Sequence, residues 1–96
     1  MMDKEEYCGL LAKNLSVLRV NANLKQTELA EKLGLTRVTI SNYENSKLPI
    51  NWKRFMSIVS FFAGNRNTLN IMLALGIVDK EIIAVINHLE VEGYNR

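Results

Sequence analysis

Apolar residues recur along this chain at helical spacing, and the pattern resolves into six helices. The first is expected from residue 4 or 5 to 22, with Leu11, Leu15 and Leu18 buried. The second, about 26–33, carries Leu29, Ala30 and Leu33 on one side, and Gly34 can stop it because glycine accepts φ > 0. Thr36 suits the N-cap of a third helix, about 37 to 44 or 45, whose inward stripe is Ile40 and Tyr43. A polar loop, NSKLPIN, leads to a fourth over about 52–63, with Asn51 as its N-cap and Phe55, Ile58, Val59 and Phe62 in register; Gly64 closes it. Asn67 or Thr68 is expected to open a fifth helix over about 69–75, which ends at Gly76. Asp79 caps the sixth, about 80–91, with Gly93 beyond its end. The abundance of Leu, Ile, Ala and Lys, with one proline and few glycines, also favours an all-α fold.

The run from Gln26 to Tyr43, QTELAEKLGLTRVTISNY, carries the most information. With Ile40 and Tyr43 inward, Arg37, Val38, Ser41, Asn42 and Asn45 share the outward face of the third helix. Those side chains suit base edges: arginine for guanine, asparagine for adenine, an apolar contact for the thymine methyl. Ala30 and Gly34 let the second and third helices cross closely, as a helix-turn-helix requires.

From about residue 10 to 62 the chain resembles the Cro/C1-type (phage-repressor-like, XRE family) helix-turn-helix DNA-binding proteins. The resemblance rests on Leu15, Leu18 and Arg19, on LKQTELAEKLGLTRVTISNYEN, and on Lys47 and Pro49. Asn23 stands where the family usually has glycine, and asparagine tolerates a left-handed helix end next best. One departure is that the segment after Pro49 runs about one residue longer before the apolar stripe resumes at Phe55. The resemblance implies a five- or six-helix lambda-repressor-like domain that binds double-stranded DNA with the helix at 36–45 in the major groove. It implies a structural pair, Arg19 with Glu44, bracing the first helix against the end of the third. Bases would be met by Arg37, Val38, Thr39, Ser41 and Asn42. Phosphates would be met by Lys25, Gln26, Thr36, Asn45 and Lys47, with Lys53 and Arg54 either joining them or remaining ordinary surface charges.

Length and charge narrow the picture further. Ninety-six residues suffice for a modest helical core but not for a separate ligand-binding domain. The net charge of +2 is distributed unevenly: residues 25–66 hold seven basic side chains against three acidic, whereas 67–96 hold two against four. That places a positive face on the middle of the chain. Cys8 is the only cysteine, which excludes an intramolecular disulfide and suits a reducing cytoplasm; a small apolar role is expected of it. The amino terminus is acidic and lacks a signal-peptide core, and no segment reaches membrane-span length, so a soluble cytoplasmic protein is expected. With a start Met and an untagged end, a whole chain is expected. There is no phosphate-cradling glycine loop, nucleophile motif or paired-carboxylate pattern, so no enzyme is expected and no cofactor implied. His88, the only histidine, has no partners at ligand spacing, so no metal site is expected. Trp52 is expected as a partly buried aromatic at a helix start.

The tail is unusually apolar. The expected division is a DNA-binding domain over 1–66 and a C-terminal helical extension over 67–96 packed on the same domain. Ile82, Ile83, Val85, Ile86 and Leu89 spread apolar surface around much of the sixth helix, and a homodimer would cover what the domain does not. Two functions follow. One is a small transcriptional regulator, a repressor binding a palindromic operator as a homodimer. The other is an antitoxin or protein-interaction module of the same fold, whose tail holds a toxin or another regulator.

Overall fold

The computed structural model describes the backbone of residues 2–91 and the side chains of residues 2–88. It consists of α1 (Lys4–Asn21), α2 (Gln26–Leu33), α3 (Arg37–Glu44), α4 (Trp52–Ala63), α5 (Arg66–Leu75) and α6 (Lys80–Val91), with no strand among the described residues.

Helix starts follow from local side-chain chemistry. Asp3 accepts from the Glu6 amide at 2.8 Å while Glu6 accepts from the Asp3 amide at 3.2 Å, a reciprocal capping box for α1. Asn51 accepts from the Arg54 amide at 2.8 Å and opens α4 where expected. The fifth helix starts earlier than the sequence led us to expect. Asn65, accepting from the Thr68 amide at 3.1 Å, is its cap rather than Asn67 or Thr68. Thr68 is unavailable for capping because it is buried, with its hydroxyl donating to the Phe62 carbonyl at 2.6 Å.

Four helix ends use one device. After α1, α2, α3 and α5 a single residue turns left-handed: Asn23 (φ 59°), Gly34 (φ 69°), Ser46 (φ 57°) and Gly76 (φ 76°). In each case the next amide reaches back to a carbonyl five residues earlier, as Leu35 does to Ala30 at 2.8 Å and Lys47 to Asn42 at 2.8 Å. The first helix therefore stops at Asn21, one residue short of expectation, because Ala22 already belongs to the turn.

The core is one cluster drawn from every helix. Leu11, Leu15 and Leu18 meet Leu29, Ile40 and the α4 stripe Phe55, Ile58, Val59 and Phe62, all buried as the periodicity required. Met72, Ile77 and Val78 extend it into the C-terminal helices. Of the residues expected at a dimer face, Ile82 and Ile86 are instead buried in this chain's own core, at 0% and 4% exposure. They lie one turn apart on the face of α6 that packs inward. Ile83 packs partly against the core, Val85 is exposed, and the side chain of Leu89 lies outside the described residues.

Tyr7 and Asp79 clasp the two ends of the fold. The buried Tyr7 hydroxyl donates to Asp79, whose other oxygen accepts from the Ile82 amide at 3.0 Å and so caps α6. Sharing the phenol proton with a carboxylate, reinforced by burial, pushes the Tyr7 hydroxyl up to about 12. The same hydrogen bond, followed by the Ile82 amide, holds the Asp79 carboxyl below its ordinary value. Tyr7→Phe should lower stability near neutral pH by about 1.5–3 kcal/mol, the usual worth of a hydrogen bond to a charged group. Because Asp79 is depressed, its contribution is complete above the unfolded-state pKa of ~3.9 and lost as pH falls through the lower folded-state value. Denaturant unfolding at a series of pH values should show the two proteins converging below about pH 4.

Candidate nucleic-acid interface

The second and third helices pack against each other across a three-residue turn. Gly34 takes the left-handed conformation there, which a side chain would strain, and Thr36 then opens α3 by accepting from the Thr39 amide at 3.1 Å. The two threonine hydroxyls also lie 3.0 Å apart, so Thr36 and Thr39 hold each other at the head of the helix. Ile40 (0% exposed) and Tyr43 (6%) anchor α3 in the core. The opposite side is left to Arg37 and Val38, both exposed, with Ser41 and Asn42 half-buried beside them. Asn45 follows at the helix end, its amide donating to the Ser41 hydroxyl at 3.3 Å. Val38 is 58% exposed, an apolar side chain left largely uncovered by the described residues.

Behind that face runs a connected polar network. Arg19 of α1 donates through Nε to Glu44 Oε2 at 2.7 Å and through Nη2 to Oε1 at 3.2 Å, and its Nη1 reaches the Leu24 carbonyl at 2.9 Å. The ion pair is largely withdrawn from water, with side-chain exposures of 16% and 7%. Gln26, the first residue of α2, donates to Glu44 Oε1 at 3.1 Å and accepts from Arg37 Nη1 at 3.2 Å. The carboxylate therefore fixes which way the Gln26 amide points, and its carbonyl oxygen holds the guanidinium at the start of the outward face. The phosphate contact expected of Gln26 from the sequence does not anticipate its bond to Arg37. The available signal was positional, since each is the first residue of its helix on either side of a tight turn.

The remaining basic side chains lie around this centre. Lys25 precedes α2, with its backbone amide donating to Glu28 at 2.8 Å; its side chain carries no acceptor, so only that half of a capping box forms. Lys47 is exposed in the turn after α3. Lys53 and Arg54 sit in the first turn of α4 and line, with Asn51 and Ser57, a polar hollow of about 250 Å³. The structure thus arranges Arg37, Val38, Ser41 and Asn42 along one helix. Lys53 and Arg54 belong to a separate element.

A helix-turn-helix packed in this way, with polar side chains presented on the second of its two helices, defines a DNA-binding domain of the lambda-repressor-like class. The helix-turn-helix family model matches residues 15–62, half of the chain, and the protein belongs to the Cro/C1-type (XRE) helix-turn-helix family. The match takes in the C-terminal part of α1, all of α2 and α3 and nearly all of α4, and ends before α5. No curated protein and no solved structure matches the chain. The family is one of DNA-binding regulators, not of enzymes. Among the described residues no helix is long and apolar enough to cross a membrane, and no cluster of His, Cys, Asp and Glu could hold a metal ion.

Removing either partner of a withdrawn ion pair strands the other, at a typical cost of 3–5 kcal/mol. Some exposure of Arg19 moderates this, so Arg19→Ala and Glu44→Ala should each destabilise the protein by about 3 kcal/mol in urea unfolding. The double variant should lose clearly less than the sum, because one broken pair is counted in both.

Proposed function

We propose that this chain is a sequence-specific repressor that binds a palindromic operator as a homodimer, with α3 in the major groove. The observation that carries this reading is the composition of the outward face of α3. Arg37, Val38, Ser41 and Asn42 line it, while Ile40 and Tyr43 fix the helix from behind. Arg37 would donate two hydrogen bonds to a guanine, Asn42 would bond an adenine, and Val38 would pack on a thymine methyl. Thr39 and Ser41 complete the base contacts. Lys25, Gln26, Thr36, Asn45, Lys47, Lys53 and Arg54 would meet phosphates and set the salt dependence.

Dimerisation would draw on apolar side chains that the monomer leaves wet: Leu73 and Leu75 of α5 and Val85 of α6. The same residues support a second reading, in which the tail holds a foreign protein such as a toxin or another regulator, with DNA binding retained.

The decisive experiment is enrichment of genomic fragments by the purified protein, compared with Arg37→Ala/Asn42→Ala. The wild type should select a palindrome, and the double variant should lose about 1–3 kcal/mol of discrimination for each contact removed. Equal, salt-sensitive binding of all fragments by both proteins overturns the base-reading assignment. Sedimentation of the protein as a monomer both free and in its DNA complex, or co-purification of a stoichiometric partner, would transfer the tail to the second reading.

A further inference from the structure

A groove of about 490 Å³ lies on the N-terminal half of α1, opposite the segment that joins α3 to α4. Cys8, Gly9 and Ala12, one helical face of α1, form one wall; Leu48, Pro49 and Trp52 form the other. Such a volume, bounded mainly by apolar and small groups, is that of a small-molecule pocket. Gly9 is informative. A Cβ built there meets nothing within 4 Å, so no neighbour among the described residues requires the glycine, although glycine within a helix costs stability relative to alanine. Its missing side chain leaves the groove open.

Charge around the groove selects the occupant. The Lys4 ammonium lies 5.3 Å from the centre of the Trp52 ring at the lip. Asn51 is shared between the groove and the neighbouring polar hollow that holds Lys53 and Arg54. Against these three cations the two cavities present one carboxylate, Glu5. We propose that the groove is an effector site for a small apolar carboxylate, its hydrocarbon part between α1 and Leu48–Pro49 and its acid group at the Lys4 and Asn51 end.

Such a ligand would act on α3 directly. The amides of Lys47 and Leu48 both donate to the Asn42 carbonyl, at 2.8 and 3.2 Å, so the wall of the groove is also what closes the end of α3. An acid group at the Asn51 end also competes with phosphate for Lys53 and Arg54. The ligand should therefore release DNA. That coupling rests on the function proposed above, whereas binding to the groove does not.

Trp52 is the only tryptophan, so its fluorescence reports on the groove without a label. Titration with decanoate should give a saturable change in emission, and decyltrimethylammonium should bind at least about tenfold more weakly. Gly9→Leu, which fills the groove with a strong helix former, should keep its circular dichroism and lose the decanoate response. Lys4→Glu, on the surface, should weaken decanoate about tenfold. Unchanged decanoate binding by either variant, or equal binding of the cationic chain, overturns the proposal. On operator DNA, decanoate should displace wild type and leave Gly9→Leu bound. Failure of both proteins to bind DNA at all would sink the regulator reading, while the fluorescence result would still decide the site.

Discussion

The Arg19–Glu44 pair is the interaction on which the geometry of the outward face of α3 depends. It joins the last turn of α1 to the last residue of α3, two elements that share only packing otherwise. Apolar contacts such as Ile40 against the core resist withdrawal of α3 but tolerate sliding and rotation, because burial is not directional. A carboxylate accepting from two guanidinium nitrogens and from the Gln26 amide has directional demands, and it removes that freedom. Since Gln26 in turn holds Arg37, the orientation of the first side chain on the outward face is traceable to a charge pair on the far end of the same helix.

The helix-turn-helix and the tail are stabilised in different ways. Around α2 and α3 a connected polar network supplements the apolar anchors Leu29, Ile40 and Tyr43. Toward α5 and α6 the contacts are mainly apolar: Met72, Ile77, Val78, Ile82 and Ile86 are buried, and the polar links there, Thr68 to the Phe62 carbonyl, Asn67 to the Asn21 carbonyl and Tyr7 to Asp79, stand apart from one another rather than forming a network. An apolar seam of this kind accepts substitution among similar volumes, whereas the network requires particular atoms.

What was legible in the sequence was what is local. Thr36, Asn51 and Asp79 cap the helices expected of them because a cap needs only its own side chain and an amide three residues on. Gly34 and Asn23 announced left-handed ends because their residue types favour that conformation. Ser46 adopts it with no such signal, held by amides reaching back to α3. Thr68 looked like a helix opener, yet a carbonyl brought close by the packing of α4 claims its hydroxyl. The inward turn of Ile82 and Ile86 was equally hidden, since an apolar helix does not declare which of its sides has a partner. The outward face of α3 was readable because two buried positions, Ile40 and Tyr43, fix the other side by geometry alone.

The Tyr7–Asp79 bond joins residues 72 positions apart, close to the full span of the described chain. A chain emerging from the ribosome can assemble α1 to α4 around Leu15, Leu18 and Phe55 before residue 79 has been made. The clasp closes late, across a loop of 72 residues. Synthesis order thus separates the acquisition of the helix-turn-helix unit from its final fastening. The tail becomes a completion step, and a chain ending before α5 would leave open the faces of α1 and α4 that α5 covers.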